Sequence, residues 1–401
     1  MKKIAAMLFV GLLVTQFAAC QKATTEQSGG PSEDVAQVDS KAGVLDCSAV
    51  TSEALKGKVK DPANVTKEEY VAILDAMQCC TVSEQSFSID KKTCAAMEAL
   101  DLLRKEKAKL PALSSVTADL VKHSSPIVRG YAYASFASLF GAGKTNLAMA
   151  KEALQNEKDP YALQQLVAGI SNEGNKDADV GKFLIDMSKH ENMFVRRKAA
   201  IALGNSWSDK VEGAVDAVIA MLDDPDENTA KLACSGAGKL DDEKVIEPII
   251  RILNDDSKVK LHADCIRGLS VLWFDYPFHE KHHEAAYRAT VDYFSKTPRT
   301  DKIPAWSAVS VFTQTANTKG AFDTWKTKAT WFKPDEFIQL MTDIVKDPGM
   351  NWLGRTPAIK VIGAFGGKAA LEKIGPEIEA LNDQKAEQIK DAYRKELEAA
   401  K

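Results

Sequence analysis

An all-α chain assembled from repeated two-helix hairpins is what this sequence predicts, and three observations lead there. Turn residues Pro126, Pro160, Met193 and Pro225 recur at intervals of 34, 33 and 32 residues, a period typical of stacked helical repeats. Each turn opens an Ala- and Gly-rich stretch at helical spacing, and a second such stretch follows. The clearest copy is LDDPDENTAKLACSGAGKLDDEKVIEPIIRIL, Leu222 to Leu253. Finally, 45% of the 401 residues are hydrophobic, enough to supply a continuous core and to exclude disorder throughout. The formal net charge of -4 and the lack of a Lys/Arg block interleaved with aromatics argue against nucleic acid as a partner.

The chain begins MKKIAAMLFVGLLVTQFAAC: a basic start at Lys2 and Lys3, an apolar stretch from Ile4 to Val14, then small residues. That is the composition of an export signal, and the apolar stretch is too short to span as a mature helix. FAAC, Phe17 to Cys20, resembles the lipobox of bacterial lipoproteins, with Phe17 where leucine is usual. The resemblance implies a signal peptide at 1–19 and a mature chain tethered through lipidated Cys20. Each buried acyl methylene contributes about 0.8 kcal/mol to such an anchor. An ordinary secretory signal with an incidental cysteine is the alternative. In lipoprotein families that sort between membranes, Asp after the lipid cysteine favours the inner membrane; Gln21 stands there, so the resemblance implies the outer one. Residues 20–44 are polar, contain Gly, Ser and Pro and lack helical period, so they read as a flexible tether spanning about 25 Å.

Six further cysteines in an exported chain are placed where disulfides form and persist. Cys47, Cys79, Cys80 and Cys94 crowd residues 45–110, read as a Cys-rich helical cap, and four cysteines allow three pairings. Closing adjacent Cys79 and Cys80 on each other would strain the backbone, so Cys47 is expected to pair with one of them and Cys94 with the other. A metal site is the rival reading; adjacent cysteines are awkward ligands and no CxxC occurs. Thr66 to Glu69 form a capping box before YVAILDAM, and Asp90 precedes the helical run CAAMEALDLLRKEKAK. Cys234 and Cys265 lie inside Ala-rich helical stretches and read as buried free thiols or as a bridge between neighbouring helices, with free thiols expected.

Further hairpin starts occur at SPIVRGYAYASF, DPYALQQLVAGI, NMFVRRKAAIALG and SKVKLHADCIRGL, and DPGMNWLGRTPAIKVIGAFGG repeats the pattern through Arg355, Ala358 and Gly363. These units resemble HEAT repeats of the short bacterial kind, with regular copies across 111–297 and longer, irregular ones across 298–382. The resemblance implies a right-handed α-solenoid in which Ala132, Ala199, Ala233 and Ala263 permit close helix packing. It further implies a ladder of cations at Arg129, Arg196, Lys260 and Arg355, each bonded to an Asp of a neighbouring unit and interrupted by Leu163 and Ala230. No hairpin of this kind buries both its apolar faces alone, so the ends need caps. The Cys-rich cap serves one end, and the charged C-terminal helix at 383–401 serves the other.

Trp306, Trp325, Trp331 and Trp352 fall in the irregular units. They read either as bulky core filler or as a partner-binding patch, since tryptophan is enriched at hot spots. SLFGAGKT, Ser138 to Thr145, falls one glycine short of a phosphate-binding loop and follows a helix rather than a strand, so no nucleotide is expected.

HEKHH, His279 to His283, matches HExxH. On a helix His279 and His283 would share a face and a metal, with Glu280 as the base. The downstream ligands of zinc hydrolases are missing, however: Ala286 and Ala289 stand where the long motif wants Gly and His, and no glutamate lies between Glu284 and Glu336. Helical phase places Phe278, His282, Ala285, Ala289 and Tyr293 on one apolar stripe, after N-terminal signals at Asp275 and Pro277. The expected reading is therefore a repeat helix with a core-facing His282, no cofactor and no catalytic residues, and a non-catalytic metal contact at His279 and His283 is the alternative. The expected function is a membrane-anchored envelope scaffold binding a protein or polymer partner; a zinc-dependent hydrolase and a ligand-binding lipoprotein are the alternatives.

Overall fold

A computed structural model of the chain describes residues 45–136, 145–174, 176–274, 283–296, 303–316, 325 and 327–400. Helices start at or close to the expected turns Pro126, Pro160, Met193 and Pro225, and most of these starts have a local cause. Asp159, Asp177, Asn192, Asp226 and Asn351 cap helices by accepting backbone N–H bonds with their side chains, and Pro126, Pro160 and Pro334 occupy first-turn positions where a missing N–H costs nothing. Thr66 and Glu69 form the anticipated capping box.

Among the described residues there are eighteen α-helices and no strand. α1 (Ser52–Lys56), α2 (Lys67–Asp75) and α3 (Ala95–Lys105) make the cap, and α4 (Thr117–Leu120) leads into the repeats. A first row contains α5 (Pro126–Tyr133), α7 (Pro160–Ile170), α9 (Met193–Leu203), α11 (Glu227–Ala237), α13 (Val259–Phe274), α15 (Ile303–Ala316) and α17 (Trp352–Glu379), each packed on the next. The return helices are α6 (Thr145–Asn156), α8 (Ala178–Met187), α10 (Ala214–Met221), α12 (Ile246–Leu253), α14 (Glu284–Ser295) and α16 (Pro334–Lys346), and they form the second row. α17 is itself a hairpin, because Gly367 breaks it with φ 65° and ψ -164°, a conformation reserved for glycine. The chain is an α-solenoid closed by α18 (Ala386–Ala399). The charged C-terminal segment is thus two pieces, with Asp383 in the turn between them and Ile389 and Tyr393 buried on the α18 side.

Small residues set the spacing of the first row. Ala132, Ala199 and Ala233 are fully buried, but the closest approaches belong to glycines. A Cβ on Gly236 would come within 2.7 Å of Gly204 Cα, and one on Gly268 would overlap the carbonyl oxygen of Cys234. This approach of α11 and α13 explains a departure from expectation: Cys234 and Cys265 are bonded as a disulfide with Cα atoms 4.4 Å apart, rather than being free thiols. Both lie fully buried in Ala/Gly-rich faces that meet across the helix contact, a relation that neither helix reveals separately. In the cap, Cys47 pairs with Cys79 and Cys80 with Cys94, within the scheme that the adjacent cysteines dictate.

Among the described residues the ladder has three bidentate rungs, each 28 residues long in sequence. Arg129 Nε and Nη2 donate to Glu157 at 2.7 and 2.9 Å, Arg196 to Asp224 at 2.7 and 3.0 Å, and Arg355 through Nη1 and Nη2 to Asp383 at 3.0 and 2.8 Å. Spare N–H groups of Arg196 bind the carbonyls of His190 and Glu191, which closes the end of the preceding second-row helix. Leu163 and Ala230 are buried apolar positions, as the interrupted ladder requires. Lys260 is not a rung: its side chain is 74% exposed and reaches back to Glu227. His262 takes that place instead, buried, with Nε2 against Ile252 O at 3.0 Å. Its partner ten residues back matches Arg355, whose Nε donates to Val345 O.

Candidate functional site

Among the described residues four large apolar side chains stand out as exposed: Met193 (38%), Ile201 (48%), Trp352 (39%) and Leu353 (43%). All four belong to first-row helices, α9 and α17. On α9 the spacing Met193, Arg197, Ile201 is i, i+4, i+8, a single stripe, while Val195, Ala199, Ala202 and Leu203 are buried. The solvent side of the first row is therefore a surface of mixed chemistry and not merely a solvated helix face.

Part of it is already occupied by the chain. The segment between Cys80 and Cys94 forms a disulfide-closed loop with an isolated antiparallel bridge from Val82 to Ile89. At its tip Phe87 adopts φ 48°, unfavourable for a bulky residue, and stacks on Phe194 of α9 with centroids 4.6 Å apart and planes at 8°. It also meets the edge of Tyr161 on α7, and Gln164 donates to its carbonyl. The Arg197 guanidinium lies 4.7 Å from the centre of the Phe194 ring. Phe194, on the stripe side of α9, is thus only 8% exposed. The sequence analysis missed this contact; Phe87 in a cysteine-bounded loop was the available signal, but its target is far away in the chain.

Charge along the same side follows the repeat. Arg197 forms a bidentate pair with Asp226 at 2.7 and 2.6 Å. Burial opposes ionisation of Asp226, but hydrogen bonds from Arg197 and Thr229 overcome it and hold the carboxyl at about 2. Lys198, half-buried on α9, has no hydrogen bond or carboxylate partner among the described residues. Burial alone lowers its affinity for a proton. One repeat further on, Lys231 of α11 is held by Glu227 at 2.6 Å. Next in the series, Asp264 of α13 accepts from Ser235 at 2.9 Å, and burial raises its pKa.

The predicted site residues separate. Trp325 is core, 1% exposed, with Nε1 donating to Trp273 O at 3.2 Å. Trp331 is half-buried against Tyr287 and Trp325. Of the three whose side chains are described, Trp352 alone faces solvent, with Lys385 Nζ 5.8 Å from its ring centre. The four tryptophans therefore do not make one patch, and the Trp306 side chain lies outside the described residues. Cys20 and Ser138 to Lys144 lie outside them as well.

HEKHH is partly visible. His279, Glu280 and His282 lie outside the described residues, whereas His283 is the extended N-cap of α14, at φ -85° and ψ 97°. The helix starts after it, so His283 itself lies outside the helix. Its Nε2 is 3.0 Å from Asp241 Oδ1, and the ring is 9% exposed. The buried stripe of α14 is Ala286, Tyr287, Thr290, Tyr293 and Phe294, not the Ala285/Ala289 stripe expected, because the helix starts later and is turned toward the aromatic core. Among the described residues no group of three or more His, Cys, Asp or Glu is arranged to hold a metal ion, and no helix is long and apolar enough to cross a membrane.

Residues 181–270 match the family model of HEAT repeats, units that generally mediate protein–protein interaction. Among solved structures the chain is similar to the X-ray structure of the YibA protein of Escherichia coli. That match has 11% identity, covers 90% of this chain and 100% of that one, and has a TM-score of 0.40. A search of curated proteins finds no match.

Proposed function

We propose that this protein is a lipid-anchored scaffold or adaptor of the bacterial cell envelope, on the outer rather than the inner membrane, that binds a protein partner through the solvent side of its first helix row. One observation carries the reading: among the described residues the four exposed large apolar side chains all lie on first-row helices. Solenoids present extended surfaces through one row, and exposed apolar side chains rimmed by charge mark interaction sites. Cys20, in the lipobox-like FAAC, would hold the anchor, and residues 20–44 would give it reach.

Affinity capture from detergent-solubilised envelopes, using the full-length lipidated protein, tests the scaffold. Wild type should retain a discrete partner, and the Ile201→Asp/Trp352→Ala variant should lose it. Equal retention by both would refute the role of this surface. Mass spectrometry of the mature N-terminus tests the anchor: an acylated Cys20 is expected, and an unmodified residue there would contradict it.

A further inference from the structure

The loop between Cys80 and Cys94 is bonded to itself. Ser83 N–H donates to Ser88 O at 2.9 Å, Phe87 N–H to Ser83 O at 2.8 Å and Asp90 N–H to Thr81 O at 2.9 Å, while the hydroxyls of Thr81 and Thr93 lie 2.7 Å apart. The disulfide closes its base. A loop tied in this way holds its own shape, so its seat on the repeats is a contact between two formed surfaces. Phe87 makes that contact at φ 48°, where a bulky residue is disfavoured and glycine is not. A glycine would relax the turn and forfeit the ring; the strain persists because the surroundings hold the phenylalanine in place.

What holds it has the form of a recognition site. Phe194 of α9 supplies a ring to stack on, Tyr161 of α7 an edge, and the Gln164 amide donates to the carbonyl of the residue that carries the ring. Aromatic side chains with a hydrogen-bonded backbone beside them are the usual anchors of protein interfaces. The seat is also continuous with open apolar surface. Met193 directly precedes Phe194, Ile201 lies two turns further along the same side of α9, and both are exposed. The loop therefore covers one end of an apolar stripe and leaves the rest to solvent.

We infer that the first-row face of α7 and α9 binds an aromatic side chain carried on a turn of a partner protein, and that the Cys80–Cys94 loop is the competitor in cis that this partner displaces. This rests on the scaffold reading and names the chemistry of its partner and the device that restrains it. A tethered competitor acts at high effective concentration. A partner gains the seat by binding it better than Phe87 does, or by adding contacts at Met193 and Ile201.

The chain's own loop sequence provides the probe: a fluorescein-labelled synthetic peptide of residues 80–94, oxidised to its disulfide, titrated with full-length protein and read by fluorescence anisotropy. Phe87→Gly and Phe87→Ala proteins, which lack the competing ring, should bind it about tenfold or more tighter than wild type. The same peptide carrying Phe87→Ala should bind none of them, and adding Phe194→Ala to the Phe87→Gly protein should abolish binding. No binding to either Phe87 variant, binding by wild type as tight as theirs, or binding that survives Phe194→Ala would overturn the inference. Photo-cross-linking from position 201 in cells then separates this inference from the reading it rests on. Phe87→Gly should strengthen the wild-type adduct, and an adduct that it weakens would show that the loop assists the partner, which also overturns the inference. Peptide binding as expected, with no adduct in either protein, sustains the seat and its cover and removes the scaffold.

Discussion

The two halves of the first row bury themselves in opposite ways. From α9 to α13 the helices meet backbone to backbone at Gly204, Gly236 and Gly268, with a disulfide across the last contact. From α13 to α17 the same plan is filled by rings: Trp273, Phe274, Phe312, Trp325, Phe332, Phe337 and Phe365 form a continuous buried cluster, with Trp273 within ring-contact distance of five of the others. Close approach needs short side chains and tolerates no addition, whereas wide spacing needs bulk and tolerates no removal. The hairpin plan thus fixes the order of helices and leaves their separation to the residues between them.

Deleting bulk from the aromatic half should have the largest effect. Trp325→Ala removes a buried ring and its bond to Trp273 O, and it should lower stability by about 3–5 kcal/mol in a urea titration. A loss below about 1 kcal/mol would mean that the cluster collapses freely, which would erase the contrast. Arg355→Ala should be close behind, since it strands Asp383 and frees the Val345 carbonyl. Breaking a buried pair costs about 3–5 kcal/mol, and Arg355 is 1% exposed.

Adding bulk to the glycine half should have the next largest effect. Gly268→Ala drives a methyl into the Cys234 carbonyl and should cost about 1–3 kcal/mol, read as a lowered urea midpoint. The same methyl added at Gly367 meets no atom within 4 Å, so any loss there reflects its positive φ alone. The smallest effect is the pH dependence contributed by Asp226 in the glycine half. Asp226 is held at about 2 against the ordinary aspartate value of 3.8, so the stability from its ionised form is complete above that higher value. It is lost as pH falls from there toward 2. Asp226→Asn should flatten that segment of the acid-unfolding curve; an unchanged curve would show that Asp226 titrates alike in both states.

Much of this was legible in the sequence. Repeat spacing, Asp/Asn caps and first-turn prolines are local signals, and they placed the hairpins; adjacent Cys79 and Cys80 restricted the cap pairing. What stayed hidden depends on contacts between units. The Cys234–Cys265 bridge needs the glycine-set approach of α11 and α13, and His262 replaces an Arg rung two residues from the cation that the pattern suggested. Phe87 reaches Phe194 across the cap–repeat boundary, and no periodicity encodes that reach. The tryptophans were ambiguous for the same reason: composition places Trp325 and Trp352 together, and only packing separates core from surface.

The claim that the first row is the working face is tested most directly by site-specific photo-cross-linking in cells. A photoreactive residue at Ile201, exposed on the first row, is compared with one at Glu247, exposed on the second-row helix α12. A discrete adduct at position 201 and none at 247 is the expected result; adducts at 247 with none at 201 would contradict it.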